Sequence, residues 1–323
     1  MYISVDNRGV IKTVSDTPIK SANCTTIETD ELNSNSKLIG KRIRLGAKKD
    51  MKDMRVAVIC NWGEQCGIAT YTESLVNSLR KRIPNVKVFA ETNSTSQEEF
   101  VVKSWTRGKS MVETMNLVLD WEPDIVHVQH EFGIFPKATH FLKMLEMLDA
   151  VPYVITMHSV YEHLDKTICT AHIRNIIVHS DLARDILLSL GHTNPIYQLN
   201  HGCNTYNDVS ELWNIFQNDY SIIQFGFGFN YKGVDIAIEA IQKLKATDPK
   251  FNDIFYCYLC SENPHTRNIH QEYYNYLSEK IAKANLTENV AILKGYLSDK
   301  LIRNFLRTAK LAIFPYKTDP NNR

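Results

Sequence analysis

The sequence predicts an α/β protein with two doubly wound units of parallel sheet behind a small β module. Three observations carry that reading. From Arg55 onward, short apolar runs alternate with amphipathic helical stretches, which gives parallel strands with helices on both faces of a sheet. The alternation restarts at Ser221, so it belongs to two units. Residues 1–52 follow a different pattern, in which apolar and polar residues alternate over a few positions between turn-formers.

In that first segment Tyr2–Val5, Gly9–Val14 and Thr25–Glu28 read as short strands, separated by Asp6-Asn7, Asp16-Thr17-Pro18 and Asn33-Ser34-Asn35. It holds 10 basic and 6 acidic residues, a net +4, so the remainder of this +1 chain carries −3. Residues 40–52, GKRIRLGAKKDMK, form a basic tether that is either a solvated linker or a peripheral contact with an anionic surface such as lipid headgroups.

The unit spanning 53–205 opens with the strand Arg55–Cys60 and a helix from about Ala69 to Arg82. Strands follow at Val86–Ala90, Ile125–Val128, Tyr153–Met157, Asn175–His179 and Ile196–Leu199, with helices at Met111–Trp121, Ala138–Leu148 and Asp181–Leu190. The unit spanning 206–323 repeats the scheme. Its strands are Ser221–Phe225, Ile254–Cys260, Val290–Leu293 and Leu311–Phe314; its helices are Val234–Leu244, Gln271–Ala284 and Asp299–Thr308. Six strands are common in such units and this one has four, with Arg323 following closely on the last. The second unit therefore reads as incomplete and the chain as C-terminally truncated.

Composition narrows the function. With 37 Lys+Arg against 36 Asp+Glu, the chain lacks the charge excess of a dedicated nucleic-acid binder. Seven cysteines, an odd number in 323 residues, suit reduced thiols in a cytoplasmic protein better than a disulfide scaffold. No run of 18 apolar residues marks a transmembrane helix, and the N-terminus lacks a secretory pattern. Sequons at Asn23, Asn93 and Asn285 then read as chance.

Ligands of open α/β sheets bind at the carboxyl ends of strands, so the loops there come first. The loop Asn61–Tyr71 joins the first strand to the first helix; Gly67 would let a ligand approach the backbone, beside N–H groups suited to an anion. Gly63 and Gly67 are four apart, which fits neither G-x-G-x-x-G nor a P-loop, and a plain tight turn is the alternative. In the second unit Phe225–Gly233 follows a strand and opens a helix. Gly226, Gly228, Gly233 and Lys232 together make a diphosphate cradle, with Lys232 as the point charge; the alternative is a solvent-exposed lysine.

Histidines fall at predicted strand ends. His127 and His130, three apart on a strand, point to opposite faces, so no metal site is expected from them. His158 closes the strand Tyr153–Met157, where it is placed to hydrogen-bond a substrate hydroxyl or phosphate, unless backbone groups satisfy it. His201 follows Ile196–Leu199 in the same way. Cys257 and Cys260 lie in one strand facing opposite ways, which argues against redox or zinc chemistry, and Tyr273-Tyr274-x-Tyr276 reads as helix packing. No Ser-His-Asp order, H-E-x-x-H or kinase signature occurs.

Taken in order, Cys66–Tyr71, His127–Pro136, Thr156–His158, Leu199–Gly202, Gly226–Gly233, Gly295–Ser298 and Phe314–Tyr316 resemble the motifs of glycosyltransferase family 4, enzymes of the GT-B fold. The likeness runs from about Arg55 to Tyr316. It implies two Rossmann-like domains facing a cleft, the second binding a UDP- or GDP-linked sugar and the first a glycan, lipid-linked or other acceptor. It further implies transfer with retention, without metal or cofactor; the cysteine usage and the basic tether place the chain in the cytoplasm or at the inner face of a membrane. By the resemblance His158 and Lys232 are catalytic. Gly67, Gly226, Gly228, Lys232 and Gly233 hold the donor phosphates, and His130, Glu131 and His201 lie at the acceptor or cleft. Phe227 stands where the family often has Arg, Ser159 where many members have an acid, and the family's acidic pair beyond Pro315-Tyr316 lies past the end of this sequence. These departures keep two alternatives in view: a degenerate GT-B scaffold that binds without turnover, and a sugar-nucleotide epimerase.

Overall fold

The computed structural model describes residues 2–6, 11–15, 24–28, 50–163, 173–203, 216, 219–261 and 267–317. Of the basic tether, residues 40–49 lie outside the described residues, as does the sequon at Asn23. The chain divides into two compact units: 1–62, 72–178 and 184–199 form the first, and 63–71, 179–183 and 200–323 the second.

Three short strands, β1 (Tyr2–Asp6), β2 (Ile11–Ser15) and β3 (Cys24–Glu28), form an antiparallel sheet in the order β2-β1-β3. Ile3 pairs with Val14 on one side and Ile27 on the other.

The large sheet of the first unit has seven strands: β4 (Val56–Cys60), β5 (Val86–Glu91), β6 (Val101–Trp105), β7 (Ile125–His130), β8 (Tyr153–Met157), β9 (Ile176–Val178) and β10 (Ile196–Gln198). All pair in parallel in the order β10-β9-β8-β7-β4-β5-β6. Helices α1 (Gly67–Arg80), α2 (Val112–Asp120), α3 (Ala138–Met147) and α4 (Asp181–Ser189) make the crossovers among the described residues. Every residue of β4 is buried, as expected for a strand covered on both faces. The strand β6 was not expected: Val-Val-Lys-Ser-Trp is too brief a run to stand out, and it forms because Val101 and Val102 pair with Val88 and Phe89 of β5.

The second unit's sheet is also parallel, in the order β13-β12-β11-β14: β11 (Ser221–Phe227), β12 (Phe255–Ser261), β13 (Val290–Lys294) and β14 (Leu311–Ala312). Helices α5 (Val234–Thr247), α6 (Arg267–Lys283) and α7 (Asp299–Thr308) accompany it. Alternate residues of β12 enter two cores. Tyr256, Tyr258 and Cys260 pack with Val234, Ile238, Tyr273 and Tyr274, while Cys257 and Leu259 pack with Ile223, Phe216 and Phe305. The two thiols thus face opposite ways, and burial pushes the Cys257 thiol up to about 11. Tyr273 and Tyr274 are core residues.

Both sheets reverse their strand order once. In the first the chain runs β4, β5, β6 to one side and then places β7 on the other side of β4; in the second it runs β11, β12, β13 and then places β14 on the other side of β11. Such switch points open a crevice at the carboxyl ends of the flanking strands, because the loops there depart in opposite directions.

Candidate functional site

In the first unit, the carboxyl ends of β7 and β8 bring together a line of polar side chains. His127 and Gln129 are two apart on β7 and share a face; Gln129 lies opposite Thr156 in the parallel register, and His158 follows two residues later. Four side chains thus lie on one surface. The Gln129 carboxamide Oε1 is 2.8 Å from His158 Nε2, and its Nε2 is 3.0 Å from His127 Nε2. His127 Nε2 is in turn 2.8 Å from Thr156 Oγ1. Gln129, Thr156 and His158 are buried. Burial disfavours the imidazolium and pulls His127 down to about 4.

His130 sits on the opposite face of β7. The resemblance implies a cleft position, but the ring is 1% exposed and stacks on Phe135 at 5.6 Å, with Phe132 and Phe141 at its other sides. Burial holds it down at about 3, so it stays neutral. Its backbone carbonyl accepts the His158 N–H at 3.0 Å. His130 therefore supports His158 through the main chain, with its ring in an aromatic core. Glu131 is half-buried; its carboxylate accepts from the Gly133 N–H and, at 3.3 Å, from the Ser159 hydroxyl. That pair ties the loop after β7 to the loop after β8.

In the second unit the switch point lies between β11 and β14, and both flanking loops are well determined by contacts. Gly226 has φ +139° and Gly233 φ +70°, values that disfavour a side chain. Gly233 is also a close approach: a Cβ there would lie 1.7 Å from the Pro315 carbonyl oxygen. At Gly228 a Cβ would lie 3.0 Å from Cys260 Sγ and from the Tyr274 ring. The buried His270 donates from Nδ1 to the Gly228 carbonyl at 2.9 Å, and the Tyr258 hydroxyl donates to the Phe227 carbonyl at 2.8 Å.

Lys232 ends a single 3₁₀ turn, Asn230–Lys232, and Gly233 caps α5. The Lys232 ammonium donates to the Tyr316 hydroxyl at 2.9 Å and lies 4.2 Å from the centre of that ring and 5.1 Å from the Tyr231 ring. The Lys232 carbonyl accepts from the Gln224 amide at 2.8 Å, and Tyr256 donates to the same amide's oxygen at 2.6 Å. An ammonium held over aromatic faces at a helix N-terminus, beside glycine backbone, is an anion-binding arrangement. Behind it Asp235 in the first turn of α5 pairs with Lys317 at 2.7 Å, which offsets a carboxylate that would otherwise oppose an anion. Phe227 lies 6.3 Å from Phe229 and 6.5 Å from His270, ring to ring, and adds no cation.

Two other expected residues also fall in the second unit. Gly67 starts α1 with nothing within 4 Å of where a Cβ would stand, so its backbone is open to approach. The exposed His201 donates from Nδ1 to the Gly202 carbonyl at 3.0 Å, and its ring lies 4.7 Å from Tyr71 and 5.0 Å from His179. Sequence reasoning missed Gln129 and Thr156, and it missed what Tyr316 and Pro315 touch. Strand alternation marks Gln129 as sharing a face with His127, but nothing in spacing ties Lys232 to a tyrosine 84 residues away.

Residues 66–206 match the model of Glycosyltransferase Family 4. Among solved structures, the chain superposes on Anabaena HepE in complex with UDP and glucose with TM-score 0.59 at 14% identity, covering 80% of this chain and 73% of that one. It superposes on sucrose-phosphate synthase from Thermosynechococcus elongatus with TM-score 0.63 at 13% identity, covering 83% and 76%. For the UDP-forming α,α-trehalose-phosphate synthase from Burkholderia xenovorans the values are 0.59, 12%, 80% and 77%. The fold is GT-B. No curated protein sequence matches the chain. In this GT-B chain, Gly67, His130, Glu131, His158 and His201 fall inside the matched segment, and the lysine loop falls outside it. None of the described helices is long and apolar enough to cross a membrane.

Proposed function

We propose that the protein is a glycosyltransferase that takes a sugar from a UDP- or GDP-linked donor and places it on a hydroxyl of a glycan or lipid-linked acceptor. The observation that carries this reading is the lysine loop at the switch point of the second sheet. Lys232 and the glycine backbone of 226–233 face the same crevice end at which open α/β sheets bind ligands. The family match of residues 66–206 and the UDP-bound neighbour support it.

In the reaction the bond between the sugar's anomeric carbon and the diphosphate oxygen breaks, and a bond to the acceptor oxygen forms. The leaving nucleoside diphosphate gains negative charge, and Lys232 with the adjoining N–H dipoles stabilises it. Retention of configuration and independence of metal belong to this proposal through the resemblance. His158 is the group assigned to the transfer step. A cytoplasmic location is proposed from composition and from the free thiols of Cys60, Cys66, Cys203, Cys257 and Cys260.

Calorimetric titration of the intact chain with UDP, GDP and ADP, beside Lys232→Ala, tests the donor site. One nucleotide binding to the wild type and lost in the variant is the expected result. A folded chain that binds none at millimolar concentration contradicts it. The second reading, binding without turnover, draws on Phe227 standing where a phosphate-binding arginine is common. Sugar transfer by purified protein would exclude it, and a product formed without acceptor would point to epimerisation.

A further inference from the structure

We propose that Gln129 is a positioning residue that holds His158 in one tautomer, with the proton on Nε2, and that His127 and Thr156 lock the amide in the orientation this requires. The inference rests on the reading of His158 as the group that acts on substrate.

The argument starts from the amide. Gln129 is fully buried, so both ends of its carboxamide need partners. Its NH2 group can only donate, and it faces His127 Nε2. That nitrogen must then accept, which puts the His127 proton on Nδ1. The Thr156 hydroxyl, 2.8 Å from the same nitrogen, is the second donor to it. Because burial keeps His127 neutral at ordinary pH, this acceptor persists. A flipped amide would require His127 to carry its proton on Nε2 and the Thr156 hydroxyl to accept, so the amide can turn only together with both neighbours. In the orientation of the structure Oε1 faces His158, and an oxygen acceptor 2.8 Å from Nε2 calls for a proton there. The backbone fixes the same ring from below, through the His158 N–H on the His130 carbonyl.

The consequence is chemical. With Nε2–H committed to Gln129 in both the neutral and the charged ring, all acid–base change at His158 takes place on Nδ1. Nδ1 is then the acceptor nitrogen of the neutral ring. The alternation of β7 and its register with β8 bring these groups together.

The test uses the full chain labelled with ¹⁵N-histidine, with the His158 and His127 resonances assigned by their loss in His158→Gln and His127→Phe. The expected wild-type spectrum shows His158 protonated on Nε2 and His127 on Nδ1. In Gln129→Leu, His158 should become a mixture of tautomers. In Gln129→Glu both side-chain oxygens accept, so His127 should move its proton to Nε2 while His158 keeps its own. Thr156→Val, a milder change, should leave the His158 tautomer in place but raise the exchange between forms. His158 protonated on Nδ1 in the wild type overturns the proposal, and so does an unchanged His158 tautomer in folded Gln129→Leu. If Gln129→Leu does not fold, the wild-type and Gln129→Glu spectra decide alone. In a transfer assay Gln129→Leu should lower kcat about ten-fold with KM for the donor little changed; a fall in kcat without a tautomer change counts against it. Wild-type protein without any transfer activity would refute the proposed function and leave the spectra to judge the tautomer, so the two failures are separable.

Discussion

At the carboxyl end of β8 the polar groups are buried: Gln129, Thr156 and His158 beside a His127 that burial holds uncharged. At the carboxyl end of β11 a full positive charge, Lys232, rests on the faces and hydroxyl of tyrosines beside glycine backbone. The first arrangement sets the direction of hydrogen bonds and suits an uncharged hydroxyl. The second provides charge and close backbone approach and suits a phosphate. Two sheets of the same class, each with one switch point, thus offer different chemistry because of what their loops carry, which is the general relation between fold and site.

Gly233→Ala should break the second arrangement most severely. The added methyl meets the Pro315 carbonyl at 1.7 Å and φ is +70°, so a loss of about 2–4 kcal/mol is expected in chemical denaturation, with nucleotide binding abolished. Wild-type stability in that variant would mean that Pro315 is not seated on Gly233. Lys232→Ala leaves the fold in place and removes one charge-assisted contact worth about 1.5–3 kcal/mol, so nucleotide affinity should fall about 10- to 150-fold by calorimetry. Equal affinity in the two proteins would remove Lys232 from the donor site.

The first arrangement is sharpened by acid. His127 and His130 have native values of about 4 and about 3 against an ordinary 6.5, so below 6.5 the unfolded chain takes up protons that the native rings refuse. Stability should therefore be full above about pH 6.5 and fall as pH drops towards those lower values, each ring contributing a slope of up to about 1.4 kcal/mol per pH unit. His130→Phe, which puts a like-shaped ring among Phe132, Phe135 and Phe141, should stay within about 1 kcal/mol of wild type at pH 7 and show a shallower acid loss. An unchanged acid profile would show that the buried ring does not resist protonation.

Gly67→Ala should have the smallest effect on stability, less than about 1 kcal/mol, because nothing lies within 4 Å of the added atom. It separates fold from function: weaker nucleotide binding with unchanged stability would place a ligand against this backbone, and unchanged binding would leave the loop as a turn.

Much of this was legible in the residues. Wholly apolar β4 and the alternation of strands with helices marked parallel sheets, and the opposed faces of Cys257 and Cys260 followed from strand geometry. The strand β6 escaped because its signal is the pairing with β5, which is not local. His130 illustrates a different limit. Its motif looks functional, yet the ring's surroundings come from α3 and the loop after β7, which no period in the sequence brings to it.

The sequence by itself determined the class of fold, the strand ends at which chemistry sits, and the presence of a glycine–lysine loop, since these depend on local periodicity and on residue type. Only the tertiary structure decided which partners those groups have: Gln129 on His158, Tyr316 on Lys232, Pro315 on Gly233. The physical reason is that a hydrogen bond or a steric contact is set within a few tenths of an ångström, while the chain that supplies the partner is distant by 29 residues in one case and 84 in another.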